Sequence, residues 1–137
     1  MPSQPRHPKP PDLPMPTPAE VDILAALWRL GPATVREVHE ELGKACGYNT
    51  TLKQMLLMTE KGLLRRSERF RSHVYEPAAP KDQMQQRLAG DLMRRVFEGS
   101  AKSLIMGALG AQSTSAEELA DIRKMLEEID DRKRRSK

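Results

Sequence analysis

Between Lys61 and Tyr75 the chain places five cations, Lys61, Arg65, Arg66, Arg69 and Arg71, against one acid, Glu68. That segment carries a net charge of +4, the same as the whole chain, so the other residues sum to zero. Guanidinium groups at this density suit phosphate oxygens, which they meet with paired N–H donors. Just before it, YNTTLKQMLLMTEKG (48–62) carries side chains of the kind that reach base edges. Gln54 matches adenine bidentately, and Lys53 donates to guanine or to phosphate. Thr50 stands where a helix start would offer backbone donors to a phosphate. Leu57 either touches a thymine methyl or packs against another helix. Arg69 and Arg71, near the tip of the basic segment, are placed to enter a minor groove.

Other chemistry is poorly supplied. His7, His39 and His73 fall on separate segments, with no serine and acid arranged around any of them. No glycine-rich phosphate loop occurs, and runs such as AEEL read as helix surface. The chain is therefore not expected to be an enzyme. Cys46 is the single cysteine, which excludes an intramolecular disulfide and a cysteine metal cluster. No metal and no cofactor are expected. No apolar run is long enough to cross a membrane, and the N-terminus lacks the apolar centre of a secretory signal. A cytoplasmic protein without membrane insertion follows.

The elements that must position the basic segment come from caps and apolar stripes. Residues 1–17 hold seven of the 11 prolines and read as a disordered or extended tail. TPAEVDILAALWRLG predicts a helix with Thr17 as cap, Pro18 in its first turn and Glu20 completing a capping box. Its stripe is Val21, Leu24, Leu27 and Trp28, with Trp28 as a core anchor. Thr34 and Glu37 predict a second capping box, opening a short helix with Val35, Val38 and Leu42 inward and His39 at the surface. A third helix, capped by Asn49 or Thr50, turns Thr51, Met55 and Met58 inward and stops at Lys61-Gly62. Leu63 to Arg66 and Ser72 to Tyr75 then read as two short strands joined by a loop, Ser67–Arg71.

Three helices followed by a basic hairpin make a winged helix-turn-helix, spanning residues 18–77. Its third helix suits the major groove, and its wing suits the flanking phosphates. Behind Pro77 and Pro80 the pattern is helical again through residues 80–130, and a basic tail covers 131–137. Ser115 and Glu118 predict a capping box for the last helix. The stretch Leu104–Leu109 is apolar on nearly every side, too much for a small appendage to bury alone. Only 38% of the chain is hydrophobic and 4% aromatic, so a thin core favours oligomerisation. Leu92, Val96, Leu104, Ile105, Leu109, Ile122 and Leu126 are the expected dimer contacts. The expected fold is mainly α with a small β-hairpin, a winged helix-turn-helix followed by a helical dimerisation region. The expected activity is sequence-specific binding of a palindromic operator by a homodimeric transcriptional repressor. The alternative is a winged-helix protein-interaction module without specific DNA binding.

The chain resembles the penicillinase and methicillin-resistance repressor family, which also includes copper-transport repressors. The residues that carry the resemblance are AEVDILAALWRLGPATVREVHEEL (19–42), YNTTLKQMLLMTEKGLLRR (48–66), HVYEP (73–77), FEGSAKSLIMGAL (97–109) and SAEELADIRKMLEEID (115–130). The resemblance implies a dimer that occupies an operator dyad and blocks transcription, with its reading helix at residues 50–60 and its wing at about 63–76. It also implies a sensor protease as partner, which cuts an Asn-Phe bond within the dimerisation helices of well-studied relatives. Gly107-Ala108 stands at that position here. Copper-responsive relatives hold a paired-cysteine site near the C-terminus, a site this chain, with Cys46 alone, does not provide.

Overall fold

The computed structural model describes residues 13–43 and 46–136. In order it contains α1 (Pro18–Leu30), α2 (Val35–Glu41), α3 (Tyr48–Lys61), β1 (Leu64–Arg69), β2 (Ser72–Pro77), α4 (Lys81–Val96), α5 (Ala101–Ala111) and α6 (Ala116–Arg135). This is the expected class, six helices and one antiparallel hairpin among the described residues. The chain divides into two compact units, one running to Asp91 and the other starting at Leu92.

Both expected capping boxes open the first two helices. Thr17 Oγ1 accepts from the Glu20 amide at 3.3 Å, and Glu20 Oε1 accepts from the Thr17 amide at 3.0 Å. Thr34 and Glu37 repeat the exchange at 3.1 and 2.9 Å. For α3 the expectation fails. Asn49 and Thr50 lie inside the helix, which starts at Tyr48 with Gly47 in the cap position and no side-chain cap. The Gly47 carbonyl accepts from the Thr50 and Thr51 amides, at 3.1 and 3.2 Å, so the turn closes through backbone alone. At the other end Gly62 takes φ 89°, which a side chain would resist, and its N–H reaches the Met58 and Thr59 carbonyls.

The core of the first unit joins Ile23, Leu24 and Leu27 from α1, Val38 from α2, and Met55 and Met58 from α3. Tyr75 of β2 is buried with them. Trp28, expected as an anchor, is half-buried at the margin of this core, with the Lys81 ammonium 5.9 Å from its ring centre. The unit is larger than residues 18–77 in both directions. Leu13 packs against the core and Pro16 is buried, so the end of the proline-rich segment belongs to the fold. Residues 1–12 of the expected tail lie outside the described residues. Met84 is buried and Leu88 packs beside it, which carries the boundary from Pro80 into α4.

The wing is also longer than expected. β1 and β2 pair from Leu64↔Pro77 to Arg69↔Ser72, leaving only Phe70 and Arg71 as the turn in place of a five-residue loop. Both turn residues have positive φ, 54° and 68°, as a type I′ hairpin requires. Neither is glycine, so each stands at a cost of roughly 1–2 kcal/mol. The base of the wing is held by a further bridge. Ala33 and Tyr75 exchange backbone hydrogen bonds of 3.0 and 2.8 Å, tying β2 to the α1–α2 connection.

Glu20 does more than close its capping box. Its two carboxylate oxygens also accept from Lys61 Nζ at 2.9 and 2.7 Å, joining the start of α1 to the end of α3. The residue is only 5% exposed. Burial pushes its pKa up, but the Lys61 bonds, the Thr17 amide and the lysine charge together hold it below its ordinary 4.5. The stabilisation is therefore complete above the ordinary value and fades as pH falls through the depressed one.

Three outcomes follow for urea unfolding of the full chain. Glu20→Ala lowers stability by about 2 kcal/mol at neutral pH, through loss of a cap acceptor and a charged hydrogen-bond pair. Glu20→Gln flattens the decline in stability below pH 4.5 relative to the parent. Arg71→Gly acts the other way and raises stability by about 1 kcal/mol, since glycine adopts positive φ without strain.

Candidate nucleic-acid interface

The α3 helix separates its residues by spacing. Thr51, Met55 and Met58 are buried, as expected from their steps of four and three. Thr50, Lys53 and Leu57 consequently lie exposed, and Gln54 is half-exposed at the edge of the same surface. Leu57 is 48% exposed, so within the chain it does not serve as a core residue. A neutral polar surface with one cation and one exposed aliphatic group can offer hydrogen bonds and methyl contacts to base edges.

The first turn of α3, lacking a side-chain cap, is braced by α2. The His39 Nε2–H donates to the Cys46 carbonyl at 2.9 Å, and the His39 ring meets Tyr48 edge-on with centroids 5.8 Å apart. The Arg36 guanidinium lies 5.2 Å from the Tyr48 ring centre, within cation–π range. His39 was expected as a plain surface residue, and neither Arg36 nor Tyr48 carried an expectation. Their roles arise from contacts between two helices, which spacing along one helix does not reveal. A cavity of about 390 Å³ opens between these residues and β2, lined by Thr34, Val35, Arg36, Tyr48, Leu52, Ser72, His73 and Tyr75.

The four wing arginines are not equivalent. Arg65 donates to Glu76 Oε2 at 3.1 Å and to the Ala78 carbonyl at 3.4 Å, so its charge is already answered at the wing base. Arg66, Arg69 and Arg71 are exposed and have no ion-pair partner among the described residues. The glutamate in the segment, Glu68, faces His73 at 3.6 Å across the hairpin. Uncompensated positive charge is therefore concentrated towards the tip. Phe70, at the tip itself, is 92% exposed and was missed. The available signal was an aromatic residue inside a basic segment of a chain with few aromatics.

In the second unit, α5 and α6 bury no residue. Ser100 and Ser115 cap them by accepting from the Ser103 and Glu118 amides, both at 3.0 Å. Only this half of the box expected at Ser115 and Glu118 forms. Of the expected dimer contacts, Leu92, Val96, Ile105, Leu109 and Leu126 are exposed, and Leu104 and Ile122 are half-buried. Met106, Met125 and Ile129 add exposed apolar surface that the expectation omitted. A Cβ at Gly107 would stand 3.2 Å from the Phe97 ring, so the missing side chain lets that ring sit against α5.

Among the described residues no cluster of three or more His, Cys, Asp or Glu is arranged to hold a metal ion. No helix there is long and apolar enough to cross a membrane. The sequence profile described as penicillinase repressor matches residues 16–128. The penicillinase repressor of Bacillus licheniformis is 26% identical over 118 residues, covering 85% of this chain and 92% of that protein. A solved MarR family protein from Bacillus stearothermophilus aligns with 85% of this chain and 74% of its own, at 20% identity and a TM-score of 0.47. Kinship to a repressor agrees with the expectation of a non-enzymatic protein. With a match extending through both units, the chain belongs to the penicillinase repressor family, a family of winged-helix regulators.

Proposed function

We propose that this chain is a homodimeric transcriptional repressor that reads a palindromic operator in the cytoplasm. The observation that carries the reading is the juxtaposition, within one unit, of the exposed polar surface of α3 and the wing's Arg66, Arg69 and Arg71, exposed and without an ion-pair partner among the described residues. The α3 helix enters the major groove. Gln54 and Lys53 address base edges, Leu57 meets a thymine methyl, and Thr50 lies against the phosphate at the helix start. Arg66, Arg69 and Arg71 neutralise phosphates beside the groove, whereas Arg65 holds the wing base through Glu76.

One α3 helix contacts few base pairs, so specificity needs two. The exposed apolar residues of Leu92–Val96, α5 and α6 supply a second copy with a surface to bury. The two reading helices then meet half-sites one helical turn, about 34–36 Å, or a multiple of it apart. Relief of repression by a sensor protease, which the family resemblance implies, would require cutting Gly107–Ala108 in mid-α5, after that helix opens.

The test begins with duplexes selected from a random library by the full chain. An inverted repeat is expected, bound with an affinity that falls steeply between low and moderate salt. On that duplex Gln54→Ala costs about 1–3 kcal/mol of discrimination between operator variants. Arg69→Ala weakens all duplexes nearly equally and lowers the salt slope by about 1. A flat salt response, or no retained duplex, would favour the protein-interaction reading instead. In analytical ultracentrifugation Ile105→Asp or Leu109→Asp converts dimer to monomer, because a buried unpaired charge costs several kcal/mol. An unchanged mass in both variants would place the dimer contact elsewhere.

A further inference from the structure

We infer that Phe70 is a wedge that the wing inserts into the minor groove of duplex DNA, partly unstacking one base step beside the site read by α3. The inference rests on the DNA-binding reading and deepens it.

Phe70 has the highest relative exposure of any large apolar residue described, at 92%. The backbone holds it there. Pairing continues to Arg69↔Ser72, so only two residues form the turn, and both take positive φ. A ring on so short a turn has no slack to fold back onto the hairpin. The tip also stands away from the core. Three residue steps separate the Arg66↔Tyr75 pair at the wing base from Arg69↔Ser72, a reach of about 10 Å at strand rise. The base itself is fixed by the Ala33–Tyr75 bridge, so the projection is not a loose one.

The chemistry beside the ring selects its occupant. Arg69 and Arg71 flank Phe70 in sequence, both exposed and without an ion-pair partner among the described residues. A hydrophobic protein pocket would accept the ring but gain little from two adjacent guanidinium groups. A minor groove meets both requirements, with phosphates on its walls and stacked, apolar base faces within. Its width of about 6 Å admits one ring and excludes a helix. Wedges of this kind open a step and bend the duplex towards the major groove. The pyrimidine–purine steps TA and CA unstack most easily, so the wedge adds sequence preference where no base edge is read.

The experiment uses the full chain and the duplex selected above, with the step under the wing located by minor-groove footprinting. That step is set to TA in one duplex and placed within an A-tract in another. Wild-type protein is expected to prefer the TA duplex by about tenfold, to bend it in circular-permutation electrophoresis, and to raise the fluorescence of 2-aminopurine placed at the step. Phe70→Ala abolishes all three effects while keeping affinity for the A-tract duplex within about twofold and discrimination at the Gln54 contacts. Phe70→Leu, which keeps an apolar wedge, retains most of the bend. Since Phe70 is solvent-exposed, the variants should melt with the parent. If Phe70→Ala keeps the TA preference and the bend, or weakens both duplexes alike, the wedge is overturned and the DNA-binding reading stands. If wild-type protein retains no duplex at low salt, both fall together.

Discussion

A single buried carboxylate fixes the geometry on which the rest of the first unit depends. Glu20 closes the α1 capping box by accepting from the Thr17 amide, and its two oxygens also accept from Lys61, the last residue of α3. One side chain thus joins the start of α1 to the end of α3. The lysine is favourably sited for a second reason, because the C-terminal end of α3 carries partial negative charge. A buried carboxylate is unfavourable unless its lone pairs are occupied, and here the Thr17 amide and the Lys61 ammonium occupy them. The arrangement makes the placement of α3 sensitive to any change that leaves Glu20 without its lysine.

The two ends of α3 are held by different means. Its C-terminus is locked by charge and by the left-handed Gly62, whereas its N-terminus depends on Arg36, His39 and Tyr48 and has no side-chain cap. Free or weakly occupied donors at a helix start are suited to an external acceptor. The wing shows the same division. Its base is bridged to Ala33, its first arginine is neutralised by Glu76, and its tip combines backbone strain, bare charge and an exposed ring. Rigid support lies next to the core, and the exposed charge and ring lie at the wing tip. The positive φ of Phe70 is kept while its side chain is 92% exposed, so burial of the ring does not offset that strain.

Much of the fold was legible because its signals are local. The two Thr-to-Glu boxes, the inward triad Thr51, Met55 and Met58, and the glycine stop at Gly62 depend on spacings of three and four within a few residues. The misreadings share a different origin. Asn49 and Thr50 look like caps, but the Gly47 carbonyl closes that turn first. A five-residue loop was expected at Ser67–Arg71 because no glycine or asparagine announces a two-residue turn there. The pairing of Arg65 with Glu76 was likewise not visible, because only the strand register places them opposite each other. Met84 lies behind two prolines that resemble a boundary, yet its side chain completes the core. In each case the deciding contact is made across the chain, beyond the reach of a pattern along it.

The second unit is informative through what it leaves outside. A helix as apolar as α5 ordinarily buries one face, and here no α5 residue is buried. Yet Gly107 is spaced to receive the Phe97 ring, so the unit is not a loose set of helices that failed to pack. It has a defined internal contact and a surplus of exposed Val, Leu, Ile and Met. The charges of α6 are distributed differently, with acids in its first turn and four cations in its last, both stabilising the helix dipole. Such a helix can persist while presenting Leu126 and Ile129 outward. Helical order maintained by caps and dipole terms, with apolar groups left over, is what the proposed homodimer requires of the surface it would bury.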